Sequence, residues 1–360
     1  MTSKFAVSPA DGPIAVTGAS GYIGSRIVQD CMNQGYEVRA CVRDKNNPAK
    51  VDHLLQFNRE GMRGSVSLYE ADLFKPGSYD DVFKGCAAVI HAGATVGYNM
   101  ETPQEVYDGC FVENAHVIES VKRSGSVKRF VFTSSFAAVW HPRPEGYVYT
   151  EKDWCGDNIE AYEGAWSEDQ IAENRDIAYA MAKANSEKLI YAEAEADGSF
   201  EALAILPLHV LGPLISANHD QYWSWQTHLK GMMQGKAFEA GPEGRMLWNA
   251  ADVRDVAKAH RLCAETTVGS NGSRYMISAA DRSGELYTWQ LQALLKSMYP
   301  MVDEIGGEPM EGGVPAQATY DTPRAYCLLA MQELGLEPTD IETTVRDTVD
   351  SYYSLELLTA

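Results

Sequence analysis

Residues 13–24 read Pro13-Ile14-Ala15-Val16-Thr17-Gly18-Ala19-Ser20-Gly21-Tyr22-Ile23-Gly24, a short apolar run, three evenly spaced glycines, and the start of a helical pattern over residues 22–34. The run suits a buried strand and the glycines a tight turn into the helix, which Gly35 then closes. A strand, a glycine turn and a helix N-terminus cradle a pyrophosphate. Glycine lets the backbone approach the ligand, and the free N–H groups with the helix dipole favour an anion. Because the spacing is Gly-x-x-Gly-x-x-Gly rather than Gly-x-Gly-x-x-Gly, the turn by itself also fits a strand-to-helix connection without a ligand.

The next apolar run, residues 36–42, bears on which dinucleotide is held. An acidic residue about 20 positions past the glycines suits the 2′-hydroxyl of NAD, and an arginine there suits a 2′-phosphate. The position nineteen beyond Gly24 is Arg43, with Arg39, Lys45 and Lys50 close by in a chain of formal net charge -20. This basic cluster favours NADP(H) over NAD(H), although Asp44 follows Arg43 directly. Strand-like runs recur at 66–70, 87–92, 129–134 and 202–206, separated by helix-like stretches. That alternation predicts an α/β fold, a doubly wound (Rossmann) parallel sheet with a smaller C-terminal substrate-binding region. The expected division is an NADP-binding domain over residues 1–213, with 242–280 returning to it, and a smaller region formed by 214–241 and 281–360. Helices are expected over 171–196, 215–241, 287–300 and 340–358. Residues 140–170 read as a long aromatic and acidic flap.

With 360 residues, 45% of them hydrophobic, the chain is long enough for a sizeable core. Its first dozen residues lack the apolar centre of a signal peptide, and no apolar run approaches a membrane span, so a cytoplasmic protein is expected. The acidic balance speaks against nucleic-acid or anionic-membrane partners. The expected partner is a small molecule, and the expected state is a monomer or homodimer. Seven scattered cysteines without Cys-x-x-Cys, and histidines that do not cluster, predict reduced thiols and no metal.

In DIAYAMAK, Tyr179 and Lys183 stand four residues apart, on one helix face. An ammonium beside a phenol stabilises the phenolate and brings the group toward acid–base work. Alone, the pair equally describes a packed Tyr beside a solvated Lys. Upstream, FVFTSSFAAVW places Thr133, Ser134 and Ser135 at a strand's carboxyl end, where a hydroxyl can bond a substrate carbonyl; serine-rich strand ends are also common turn formers.

In order and spacing, TGASGYIG, TSS and YAMAK resemble the extended short-chain dehydrogenases/reductases, and among them the dihydroflavonol 4-reductase-like group with its fungal ketone and aldehyde reductases. VRACVRD, ADL at 71–73, VIHAGA at 89–94, VKRFVFTSS, ILPLHVLGP at 205–213, DVRDVAKAH at 252–260 and ELGLEP extend the likeness over most of the chain. The resemblance implies a catalytic triad of Ser135, Tyr179 and Lys183. It implies cofactor contacts from Gly18, Ser20, Gly21, Tyr22, Ile23 and Gly24, from Arg43 and Lys50, and from Asp72 and Leu73 at the adenine. Ala92, Gly93, Ala94, Thr133, Ser134, Pro207 and Val210 would line the rest, with Tyr179 and Lys183 shared by cofactor and substrate. In the implied reaction NADPH gives hydride to a carbonyl carbon, Tyr179 protonates the oxygen, Ser135 polarises it, and Lys183 binds the ribose while lowering the Tyr179 pKa.

Departures bear on the substrate. Trp140 stands where plant flavonoid reductases offer an asparagine, the Asn-Trp-Tyr-Cys-Tyr signature of cinnamoyl-CoA reductases is absent, and Leu206-Pro207-Leu208-His209 replaces the epimerases' Arg-Pro with asparagine. His209 and His141 read as wall or loop residues, and His260 as structural. Val96, Tyr98, Phe136, Trp140, His209, Tyr222 and Trp223, with Trp225, form either plain core or a hydrophobic substrate pocket. The expected activity is NADPH-dependent reduction of a hydrophobic aryl or alkyl ketone or aldehyde. The alternatives are a hydroxysteroid-type dehydrogenase, an epimerase or dehydratase, or a non-catalytic cofactor sensor.

Overall fold

A computed structural model describes residues 4–94, 100–141, 143, 146–156, 173–220, 224–236, 247–306 and 324–359. Numbered along the chain, its strands are β1 Ile14–Thr17, β2 Glu37–Val42, β3 Ser65–Glu70, β4 Ala88–His91, β5 Arg129–Thr133, β6 Val148–Tyr149, β7 Glu201–Pro207, β8 His209–Leu211, β9 Leu247–Asp252, β10 Arg274–Ile277, β11 Glu285–Tyr287 and β12 Arg324–Ala325. Seven of them form one sheet in the order β10-β7-β5-β4-β1-β2-β3, every pairing parallel. The doubly wound α/β reading therefore holds.

Parallel strands are covered on both faces, so the inner ones are largely apolar and their residues alternate between two cores. Ile14, Val16, Val131, Leu203 and Ile205 pack with Ile27, Val28 and Met32 of helix Tyr22–Asn33 and with Val256 and Cys263 of helix Val253–Glu265. Ala15, Val89, Phe130, Phe132, Ala202 and Ala204 face the other way, onto Val117 and Val121 of helix Pro103–Ser124 and Ala180 and Ala184 of helix Arg175–Asp197. A third cluster, including Leu211, Leu229, Trp248, Leu295, Val345 and Tyr352, joins β8 and β9 to the C-terminal helices. There β8 pairs parallel with β9, and β9 antiparallel with β11.

The helix expected over 215–241 is instead a 3₁₀ turn, Ala217–His219, and a separate helix, Trp225–Met233. The Ser216 hydroxyl accepts from Asn218 N–H and caps the turn, while Gly235 takes a left-handed φ of 73° just past the helix. The helix expected to start at 171 begins at Arg175, where the Asn174 side chain accepts from Asp176 and Ile177 N–H. Two short strands were also not anticipated within 140–170 and 320–330: β6 and β12 pair in parallel. No helix among the described residues is long and apolar enough to cross a membrane. All seven cysteines are free and buried.

Candidate active site

Strand order reverses at β1, which lies between β2 and β4, so the carboxyl ends of β1 and β4 border the crevice where such sheets hold ligands. The glycine turn is built into it. Gly18 takes φ +64°, and a Cβ there would come within 2.6 Å of Gly93 Cα and N. A Cβ on Gly24 would lie 2.1 Å from Gly18 O, so only glycine lets the helix start against the turn. Gly21, the N-cap, supplies no side-chain bond, and the first turn carries no acidic residue. That leaves the helix's N-terminal N–H groups and dipole without a protein anion, which fits a bound pyrophosphate.

A closed hydrogen-bond chain ties this turn to the neighbouring helices. Gly93 N–H donates to Thr17 Oγ1 at 3.0 Å, and Thr17 Oγ1 meets His91 Nδ1 at 2.6 Å. Asn114 Nδ2 donates to Cys110 O (2.6 Å) and Ser186 Oγ (2.9 Å), so Asn114 Oδ1 accepts from His91 Nε2 at 2.8 Å. His91 is thereby fixed as the Nε2-protonated tautomer, and burial holds it neutral with its pKa lowered to about 3. Leu73 approaches the same place: its Cδ1 lies 3.2 Å from where a Gly93 Cβ would be, and its carbonyl accepts from His116 Nδ1. Asp72 Oδ1 closes its own turn by accepting Phe74 N–H.

Arg43 is exposed just beyond β2, and Lys50 is half-buried in the first turn of helix Pro48–Leu55. Neither side chain makes a hydrogen bond or ion pair with a described residue, so both cations are free for an anion. Arg39 does not join them. Its Nη1 donates to Val82 O and Lys84 O, both at 2.7 Å, because its place in mid-strand turns it toward that loop. The basic cluster is smaller than the sequence suggested.

The end of β5 meets helix Arg175–Asp197, whose small residues Ala178, Ala180, Ala182 and Ala184 are buried and permit close approach. The Ser135 hydroxyl lies close enough to the Tyr179 phenol to favour its ionised form, and it also accepts Ala137 N–H at 3.2 Å. Lys183, 3% exposed, donates from Nζ to Thr133 O at 3.1 Å and sits 5.9 Å from the Tyr179 ring centre. The triad expected from sequence is thus assembled in one place. Burial raises the Tyr179 pKa above the usual phenol value, Cys110 adds to the rise, and the nearby Ser135 hydroxyl opposes it. Burial lowers the Lys183 pKa, while Cys110, Glu113 and Glu187 raise it.

Thr133 and Ser134 contribute differently from the expectation. The Thr133 hydroxyl points to the opposite sheet face and bonds His260 Nε2 at 2.7 Å, while its carbonyl holds Lys183. Ser134 donates to Glu187 Oε1. Pro207 closes β7, and Val210 packs on the sheet core. His209 accepts Asn249 N–H at Nδ1 (3.1 Å), lies 4.2 Å from the Trp225 ring, and is kept neutral by burial, its pKa lowered to about 3. Phe136 is buried edge-on to Tyr149, and Trp140 is partly buried beside that core. Val96, Tyr98, Tyr222 and Trp223 lie outside the described residues. Among the described residues no group of His, Cys, Asp and Glu is placed to hold a metal. Sequence reading missed Glu187 and Arg274. The signal for Glu187 was present, since positions 179, 183 and 187 share one helix face.

Residues 14–278 match the NAD dependent epimerase/dehydratase family. The chain is 28% identical over 351 residues to cinnamoyl-CoA reductase CAD2 of Medicago truncatula, covering 94% of each protein. It is 32% identical over 209 residues to dihydroflavonol 4-reductase of Arabidopsis thaliana, covering 57% of this chain and 51% of that one. Among solved structures, Gre2 in complex with NADPH from Candida albicans superposes with TM-score 0.78 at 22% identity, over 95% of this chain and 99% of that one. Vestitone reductase from alfalfa gives TM-score 0.74 at 20% identity, over 96% and 100%.

Proposed function

The chain belongs to the NAD dependent epimerase/dehydratase family, and within it we propose an NADP-dependent oxidoreductase that reduces a hydrophobic aryl or alkyl ketone or aldehyde to the alcohol. The observation that carries this reading is the joining of Ser135, Tyr179 and Lys183 at the carboxyl end of β5, in the sheet whose glycine turn offers an anion cradle. The names of the relatives support it, since the reductases of Medicago and Arabidopsis and the NADPH-bound Gre2 point to carbonyl reduction with NADPH.

The residues present fit the cofactor. Gly18, Ser20, Gly21, Tyr22, Ile23 and Gly24 would take the pyrophosphate, Arg43 and Lys50 the 2′-phosphate, and Asp72 and Leu73 the adenine. Gly93 and its neighbours, the Thr133 carbonyl through Lys183, Pro207 and Val210 would border the nicotinamide half. The bound cofactor supplies the hydride that the carbonyl carbon accepts. Ser135 donates to the carbonyl oxygen and polarises it. Tyr179 then gives its phenolic proton to the oxygen as negative charge gathers there. A phenol whose pKa is raised by burial is protonated at neutral pH and so ready as a donor. Lys183 keeps positive charge close, favouring the phenolate left behind. His209 with Trp225, and Trp140 beside the other core, would offer aromatic surface to an apolar substrate.

The test is NADPH oxidation with a panel of aryl ketones, β-keto esters, aldehydes and steroid ketones. Turnover that depends on an apolar carbonyl supports the reading. Activity confined to NAD(H), or epimerisation without net oxidation of cofactor, contradicts it.

A further inference from the structure

The end of β5 grips the tyrosine helix at three points, one helical turn apart. Ser135 lies beside the Tyr179 phenol, the Thr133 carbonyl takes Lys183, and the Ser134 hydroxyl takes Glu187. The third grip lies outside the triad. Glu187 is fully buried, and Arg274 at the start of edge strand β10 bonds it through Nε to Oε2 at 2.6 Å and Nη2 to Oε1 at 3.4 Å. Tyr191 OH adds a bond to Oε2 at 3.2 Å. Arg274 Nη1 also donates to Glu151 O (2.9 Å) and Asp153 O (2.7 Å), and its guanidinium stacks 3.6 Å from the Trp154 ring centre. From that segment Cys155 N–H donates to Ala138 O at 2.8 Å, bracing the short turn that follows Ser135.

We propose that Glu187 and Arg274 are positioning residues that, with Ser134, fix the register of the tyrosine helix against the strand carrying Ser135; this rests on Ser135, Tyr179 and Lys183 being the catalytic set. An ion pair buried this deeply gains little net stability over apolar residues of equal volume, because desolvation offsets the attraction. What it gives instead is direction. Each bond has one geometry, whereas the helix face of small alanines would pack almost as well after a small slide along its axis. Such a slide would separate Ser135 from Tyr179 and Thr133 O from Lys183 together. By reaching both the helix and residues 151–155, Arg274 holds the site from two sides.

Ser134→Ala tests this with the ion pair left in place. The measurements are kcat and KM for carbonyl reduction, the Kd for NADPH, Tm, and backbone hydrogen exchange along the chain. We expect kcat to fall by roughly 10-fold or more, since small misplacements of reacting groups are costly. The KM and the NADPH Kd should stay nearly constant, as for loss of an interaction expressed in the transition state. Exchange should quicken in residues 175–197 and 151–155 alone. Ser134→Thr, which keeps the hydroxyl, should restore both. Glu187→Gln, equal in length, should lower kcat further and move the alkaline limb of its pH profile downward. That limb would report Lys183, and the groups around it are Tyr179 one turn away on its own helix, Cys110 and Glu113 on the facing helix, His91 on β4, and Glu187 with Arg274. Wild-type kcat and exchange in Ser134→Ala would overturn the proposal. So would a uniform loss of kcat, NADPH affinity and Tm that Ser134→Thr fails to recover. If the wild type turns over no carbonyl, the reductase reading fails separately, and the exchange pattern alone decides the positioning role.

Discussion

At the scale of single residues, the account rests on cations and hydroxyls whose partners are known. Lys183 is buried, bonded to Thr133 O, and close to Tyr179. Under the proposed reading one ammonium would serve both ribose and phenol, so Lys183→Met should lower kcat and weaken NADPH binding together; steady-state kinetics with cofactor titration checks it, and loss of only one excludes the shared role. Arg43, exposed and with no side-chain partner among the described residues, would meet a 2′-phosphate under the proposed reading. Hydrogen bonds to charged groups are worth ~1.5–3 kcal/mol, so Arg43→Ala should weaken NADPH by roughly 10- to 100-fold and leave NADH little changed. Titrating both cofactors into both proteins measures the difference, which should grow at low ionic strength. That Ser135, Tyr179 and Lys183 lie near one another was legible from the resemblance of TSS and YAMAK to a known family, since the four-residue spacing alone fits a packed Tyr beside a solvated Lys equally well. What Thr133 and Ser134 do was not. Which side of β5 each hydroxyl faces depends on strand parity, and their partners His260 and Glu187 lie far along the chain.

At the scale of elements, the glycine turn shows how close packing fixes a sequence. Gly24→Ala would put a Cβ 2.1 Å from Gly18 O, and the backbone at both ends must move to relieve it. Overpacking of this kind costs ~1–3 kcal/mol, so Tm should fall and cofactor affinity with it. Gly125, which ends helix Pro103–Ser124 with open space around its missing Cβ, offers a control: Gly125→Ala should lower Tm through its φ of +62° while sparing cofactor binding. Six strands of the parallel sheet were readable as largely apolar runs, whereas β10, opening on Arg274, and β9 were not. Strands β6, β8, β11 and β12 were not, since each has two or three residues and is set by pairing across long sequence separations. The helix expected over 215–241 is bounded by local signals that its periodicity concealed, a serine cap at Ser216 before the 3₁₀ turn and a left-handed Gly235 after helix Trp225–Met233.

At the scale of the whole molecule, the C-terminal segment is fastened to the sheet-covering helix by Asp255, whose carboxylate accepts Thr339 N–H (2.7 Å) and the Thr339 hydroxyl (3.1 Å). Burial outweighs these bonds and, with Asp252 nearby, raises its pKa from 3.8 to about 6. A carboxyl raised on folding favours the folded state while protonated. Its contribution is therefore fully present below pH 4 and is lost as pH rises through about 6. Asp255→Asn should remove that dependence, flattening the Tm-against-pH curve over this window by about 1–3 kcal/mol of stability. Both the sheet and the site depend on the same long-range order, which brings residues 18, 93, 133, 183 and 274 to one end of the strands. The most direct test of the central claim is single-turnover oxidation of bound NADPH by a reactive apolar ketone, in wild type and Tyr179→Phe, with cofactor affinity measured in parallel. Loss of a positioned proton donor predicts a drop of roughly 10²-fold or more in the single-turnover rate with NADPH binding nearly unchanged. A Tyr179→Phe protein that oxidises NADPH at the wild-type rate would contradict the account.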